Sequence, residues 1–483
     1  MINEFFLKYL FFSYSDFITL LHNTMTTSKS KFVNAARQHD ALTDNGAVTH
    51  STSLDSVLDF FFVAWTLIHK KPEEYLPLWN RALKEDYLLS MKCLFWMRDI
   101  RGWAGIRKAF REIYDSLSLE DQYHFLEYIP VYWRWDDVFA VYEKHPKIAT
   151  DFIVDQFKNK DPNTFGLFCK WFPRKGKVFE IARKELKLTP KELRKILVEN
   201  TKVVEQKMSA NKWDDINYEA VPGKAFNLYK NAFEKHDNSR FLDFVWETPE
   251  KIKSSVLWPH DLYNSWLRRD KEMIIDEQWK NLPNYITSNE SFLPIVDVSG
   301  SMYGLPISVA VSLGIYTSER NKSVFKDAFI TFSEHPKMEY LKGTVTERFN
   351  QLSRAEWDMN TNVQAAFDLI LNTALDNELH QDELPNSVII FSDMEFDQCW
   401  WRRTNYEVIK EKFEEAGYVA PKIIFWNLNW RMWNLPVRYN EQGTALVSGF
   451  SPSLMTSLLG GEDMTPLKIM MDVLWSDRYK DIK

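Results

Sequence analysis

The chain has 483 residues, a formal net charge of −7, 45% hydrophobic and 15% aromatic residues. That length exceeds one ordinary domain and the apolar content supports real cores, so two or three domains are expected. Fifteen glycines argue against a turn-rich all-β protein, and three scattered cysteines (Cys93, Cys169, Cys399) form neither a disulfide framework nor a C-x-x-C pair, which implies a reducing, cytoplasmic compartment.

Residues 1–56 read as an N-terminal extension followed by a polar loop. The first 24 are rich in Phe and Leu, but Glu4, Lys8 and Asp16 interrupt them, and there is no basic n-region or small-residue cleavage site. They read as a helix or an upstream extension, with Met25 as an alternative start. No run anywhere reaches the eighteen or so uninterrupted apolar residues of a membrane span, so no membrane contact is expected.

Residues 57–288 read as helix after helix. Val57-Leu58, Phe61-Phe62 and Trp65 make one apolar stripe. A long helix is predicted from Leu78 to Met97. Further helices are expected at Ile106–Ser116, Trp135–Tyr142, Ile148–Phe157, Val178–Glu185, Pro190–Met208 and Lys224–Lys235. Prolines mark many of the breaks, as in an all-α HEAT-like repeat domain, although no clean sequence period is present; an irregular helical domain is the alternative. Within this half, residues 157–208 hold 14 Lys+Arg against 6 Asp+Glu. Lys170, Arg174, Lys175, Lys177, Arg183, Lys184, Lys187, Lys191, Arg194 and Lys195 are interleaved with Phe165, Phe168, Trp171, Phe172 and Phe179. Cations for phosphates beside aromatics for base stacking are the footprint of a single-stranded nucleic-acid surface. The alternative is a solvated helix face over core aromatics. A weaker basic cluster comprises Arg98, Arg101, Arg107, Lys108 and Arg111 around Gly102 and Gly105.

The pattern changes near residue 288. Strands are predicted at Phe292–Asp297, Asp327–Phe332, Ser387–Phe391, Lys422–Trp426 and Thr444–Val447, and helices at Pro306–Arg320, Asn362–Leu375, Tyr406–Ala416 and Thr465–Leu474. Such alternation means a mostly parallel sheet covered on both faces, an α/β domain over residues 289–483. This half carries 18 Lys+Arg against 27 Asp+Glu, a net of −9, while the first 288 residues are at +2.

In such a sheet the C-terminal strand ends share one edge, where ligands bind. Three loops meet there: Asp297, Ser299 and Ser301 (D-x-S-x-S); Asp358 to Asn362, containing Thr361; and Ser392-Asp393-Met394-Glu395. Carboxylates and hydroxyls suit a hard cation, Mg²⁺, Mn²⁺ or Ca²⁺, and the absence of His and Cys from these loops disfavours zinc.

Asp297, Ser299, Ser301, Thr361 and Asp393 together resemble the metal-ion-dependent adhesion site of the Rossmann-like von Willebrand factor A domain. The resemblance implies a divalent cation, usually Mg²⁺, with the hydroxyls as inner ligands, the aspartates often acting through water, and a partner's carboxylate completing the shell. A wider resemblance rests on Lys170-Trp171-Phe172-Pro173-Arg174, Met208 to Trp213, Ile216-Asn217-Tyr218, Val221-Pro222, Lys235-His236-Asp237, Pro294 to Gly304, Asp393-Met394-Glu395-Phe396 and Phe425-Trp426-Asn427-Leu428. These stretches look like the domain of unknown function 2828 family, which joins a helical half to an A-type domain. The order of domains is similar to the Ro autoantigen (TROVE) proteins. Their binding of small structured RNAs and single-stranded RNA ends would carry over as RNA on the basic helical face, without residue-level contacts. The competing expectation is a metal-dependent protein–protein interaction scaffold with no RNA. Catalysis is not expected. A haloacid dehalogenase-type site would need an acid where Ser299 stands, and no phosphate-binding loop, H-E-x-x-H or G-x-S-x-G is present.

Overall fold

The computed structural model describes residues 41–100, 106–201, 203–332, 336–353, 361–399, 403–429, 434–449, 454–458 and 464–483. The extension read at residues 1–24, the polar stretch up to 40, Arg101, Gly102, Gly105 and the loop residues Asp358 to Asn360 lie outside them.

The first described residues form a small hairpin of strands β1 (Ala41–Leu42) and β2 (Val48–Thr49), where a polar loop was expected. Helices then run from Ser56 to Lys280. Two expected long helices are each split. Asp86 ends Pro72–Glu85 and caps Tyr87–Arg98, its carboxylate accepting from the Leu89 N–H, so a side-chain acceptor competes with helix continuation. Thr201, in an extended conformation at the end of Pro190–Asn200, separates that helix from Val204–Ser209.

The C-terminal half is a six-stranded mixed sheet: β3 (Phe292–Val296), β4 (Ala328–Thr331), β5 (Met338–Tyr340), β6 (Ser387–Ser392), β7 (Lys422–Asn427) and β8 (Thr444–Ser448). The spatial order is β5-β4-β3-β6-β7-β8; only β5 is antiparallel, at the edge. The short apolar runs of β3 and β6 are buried along their whole length, as strands covered on both faces must be. From β3 the chain moves outward to β4 and β5, then returns to lay β6 on the other side of β3. The strand order therefore reverses between β3 and β6, the place where such sheets leave a crevice.

Helix Leu305–Arg320 packs across β3, β4 and β6. At Gly314 it approaches β3 so closely that an added Cβ would stand 2.5 Å from Val296 Cγ2. The sheet is also joined to both ends of the helical half. Helix Ser56–Val63 packs on β8, with Ser448 Oγ donating to the Phe61 carbonyl (3.1 Å). Asp99, fully buried, accepts from Arg478 Nε (2.8 Å), Arg478 Nη2 (2.9 Å) and the Tyr479 hydroxyl (3.1 Å). Helix Pro259–Leu267 lies on Leu305–Arg320, and Trp279 Nε1 donates to Glu319 (2.5 Å). One continuous apolar core spans both halves, while a separate cluster around Phe226, Phe233 and Phe241 sits in the later helices. Among the described residues no helix is long and apolar enough to cross a membrane.

The Gly314 contact yields a test of the packing that sets β3. Gly314→Ala is expected to push the helix off the strand and destabilise the protein by about 1–3 kcal/mol, the range of core overpacking. Urea denaturation measures it; an unchanged midpoint would contradict the contact.

Candidate metal centre

The site is built by the ends of two adjacent strands. Val296 of β3 is in register with Phe391 of β6, and the Asp297 N–H donates to the Phe391 carbonyl (2.9 Å). Asp297 and Asp393 thus follow neighbouring strand ends, both fully buried. Asp297 Oδ1 accepts from the Ser299 N–H (2.9 Å) and Oδ2 from Ser392 Oγ (2.6 Å). The first bond folds the loop so that Ser299 Oγ and Ser301 Oγ stand 3.0 Å apart. In the second loop Met394 has φ 65°, uncommon for a residue with a side chain. Its N–H donates to Ser392 Oγ (3.1 Å), and the Glu395 N–H donates to Asp393 Oδ1 (3.2 Å). These bonds hold a backbone conformation that costs roughly 1–3 kcal/mol, as functional loops often do.

Thr361 reaches the site by another route. Asn45, at the tip of the β1–β2 hairpin, donates Nδ2 both to Thr361 Oγ1 (3.1 Å) and to the Glu395 carbonyl (2.7 Å). Asn362 caps the following helix, accepting from the Ala365 N–H (3.0 Å). Asp297, Ser299, Ser301 and Asp393 are therefore gathered directly, and Thr361 is tied to the Asp393 loop through Asn45.

The electrostatics suit a cation. Burial, and then the neighbouring Asp393 carboxylate, push Asp297 up to about 6. Burial also raises Glu395. Among the described residues no Lys or Arg forms an ion pair with Asp297 or Glu395. Nor does any group of three or more His, Cys, Asp and Glu side chains gather among them. A cation here would rely on the Ser and Thr hydroxyls with the two aspartates, an all-oxygen set that fits Mg²⁺ or Mn²⁺.

Three asparagines were not singled out as site residues by the sequence reading. Asn429 Nδ2 donates to the Ser301 carbonyl (2.9 Å), tying the loop after β7 to the first loop. Asn427, buried at the end of β7, pairs in register with Ser392 and has a buried Nδ2 with no hydrogen-bond partner among the described residues. Asn45 is the third. Asn45-Gly46 is a turn signal, but its docking more than three hundred residues away leaves no local trace.

The basic window divides differently from its expectation. Lys175, Lys177, Lys184, Lys187, Lys191, Arg194 and Lys195 are exposed on and just before helices Lys177–Glu185 and Pro190–Asn200. Arg174 is turned inward, donating to the carbonyls of Cys169 (2.8 Å) and Phe172 (2.9 Å). Arg183 is bound to Glu180 and the Leu188 carbonyl, and Lys170 lies 3.5 Å from Glu205. Phe165, Phe168, Phe172 and Phe179 are core residues and offer no face to a base; only Trp171 is exposed, with the Arg134 guanidinium 5.3 Å from its ring. The weaker cluster is largely consumed in ion pairs: Arg98 and Arg111 with Asp137, Arg107 with Asp136.

Residues 173–291 match the family model of a domain of unknown function (DUF2828), as the sequence resemblance implied, and residues 291–474 match a second domain of unknown function (DUF7788). The two matches meet just before β3. The chain is 27% identical over 501 residues to the uncharacterized protein L728 of Acanthamoeba polyphaga mimivirus, covering 90% of this chain and 87% of that protein.

The raised Asp297 gives a signed pH effect. In the cation-free protein its folded value is about 6, against about 3.9 unfolded. The folded state holds a proton that the unfolded state releases, so this contribution to stability falls as pH rises from about 4 to about 6. Asp297→Asn removes the effect. The stability of the variant relative to wild type is expected to grow across that window by the order of 1–3 kcal/mol and then level off. Asp59, also raised to about 6, and His260, lowered to about 4, titrate in both proteins and cancel in the difference. A pH-independent difference in urea denaturation would contradict the assignment.

Proposed function

We propose that this protein is a non-catalytic binding scaffold. Its HEAT-like helical half carries a von Willebrand factor A-like domain in which Asp297, Ser299, Ser301, Thr361 and Asp393 hold a divalent cation, most simply Mg²⁺, for the carboxylate of a protein partner. The observation that carries this reading is the buried Asp297–Asp393 pair, set at the strand reversal with hydroxyls beside it. Both Asp297 oxygens already accept a hydrogen bond, which leaves this residue suited to act on a cation through water. Ser299 and Ser301 are suited to direct ligation. When bound, the cation supplies the positive charge that a partner's acid requires in a half whose net charge is −9.

RNA binding is the second reading. The seven exposed cations from Lys175 to Lys195 support it. It ranks below the first because the phenylalanines expected to stack on bases are buried. In this reading RNA is held through its phosphates on the helical half, away from the acidic metal edge.

Partners captured in Mg²⁺ are expected to be lost in chelator and in Asp297→Ala; partners that survive both treatments contradict the first reading. For the second, the triple reversal Lys175→Glu, Lys184→Glu and Lys191→Glu is expected to lower retention on single-stranded RNA. It should also reduce the slope of log affinity against log salt by about two, at roughly 0.7 per phosphate contact. Retention unchanged by the reversal removes RNA from the account.

A further inference from the structure

The β1–β2 hairpin lies outside the α/β half in sequence, yet its tip is built into the metal edge. Thr43 Oγ1 donates to the Phe396 carbonyl (2.8 Å), and the Asp44 N–H donates to Glu395 Oε2 (2.7 Å). Gly46 bridges Asp397 in antiparallel fashion. Asn45 Nδ2 sits between the Glu395 carbonyl and Thr361 Oγ1. A carbonyl only accepts, so the atom facing it is the amide nitrogen, and its second hydrogen goes to Thr361. Glu395 is thereby committed to the hairpin and, through its other oxygen, to Asn434 Nδ2 (2.5 Å). The acid nearest Asp393 in the third loop thus works as a clasp and not as a ligand.

We infer that Asn45 is a positioning residue of the cation site, and that docking of the 41–50 hairpin and cation binding are coupled. The inference rests on the metal reading above. A hydroxyl oxygen has two lone pairs. With one engaged by Asn45, the Thr361 oxygen is fixed in rotation, and its other lone pair is free for a cation. An undocked hairpin leaves Thr361 to rotate. The coupling is reciprocal: whatever the hairpin adds to cation affinity, the cation returns to hairpin docking. The site's affinity is therefore set by a segment from the opposite end of the chain, and a partner that grips the hairpin would alter metal occupancy without touching the metal.

The test uses the full chain and Mn²⁺ as the probe, read by electron paramagnetic resonance, with hydrogen exchange at residues 41–50. Asn45→Ala is expected to weaken Mn²⁺ binding by about threefold to tenfold, the range one hydrogen bond carries. Thr43→Val loosens the hairpin without touching Thr361 and is expected to shift affinity in the same direction. In the wild type, saturating Mn²⁺ is expected to slow exchange at the Asp44, Gly46 and Ala47 amides. Thermal unfolding in chelator checks that the variants fold; should Asn45→Ala not fold, Thr43→Val and the wild-type exchange decide. Mn²⁺ uptake that is equal in all three proteins, with exchange indifferent to the metal, overturns the coupling and leaves the metal reading standing. A wild type that takes up no Mn²⁺ overturns both.

Discussion

Two buried carboxylates at the ends of neighbouring strands are the constraint on which the rest of the site depends. The β3–β6 register places Asp297 beside Ser392, one residue before Asp393, and burial with the neighbouring carboxylate makes joint ionisation unfavourable. The surrounding residues answer that cost. Ser299 and Ser392 donate to Asp297, Glu395 donates its N–H to Asp393, and Met394 takes a left-handed conformation so that the second loop can turn. Such an arrangement is poorly explained by stability alone, since two apolar residues would fill the same space without the electrostatic penalty. In the proposed reading, a bound cation offsets that penalty.

The helical half holds this edge in place from both directions. Its first helix lies on β8, Pro259–Leu267 lies on Leu305–Arg320 with Trp279 bonded to Glu319, and the buried Asp99 grips Arg478 near the chain's end. Its charges are used unevenly. Arg98 and Arg111 are spent on Asp137, whereas Lys175, Lys177, Lys184, Lys187, Lys191, Arg194 and Lys195 are exposed. A sequence count treats both stretches as basic; the first exposes Arg107 and Lys108, the second seven cations.

Much of the fold was legible because its signals are local. The β-branched runs of β3, β6 and β7 and the apolar stripe from Val363 to Ala374 announce themselves within a few residues, and their predicted limits agree with the observed ones to within a residue or so. The edge strand Met338–Tyr340 was not, since three largely exposed residues carry no periodicity. Asp86 and Thr201 broke helices that apolar spacing had run together, because periodicity is blind to capping and backbone turns. At the site, Asp297, Ser299, Ser301 and Asp393 were readable from loop position after strands. Asn45 was not, because its role exists only once residues 45 and 361 meet. The aromatics of the basic window misled for a related reason: helical spacing alone does not say whether a phenylalanine such as Phe168 faces core or solvent.

The most direct test of the central claim is a crystal grown in Mn²⁺ and measured at the metal's absorption edge. One anomalous peak is expected within about 2.5 Å of the Ser299, Ser301 and Thr361 hydroxyl oxygens, with water between the metal and at least one of Asp297 and Asp393. A fully ordered site with no peak there, and a proton shared between the two aspartates instead, would contradict it.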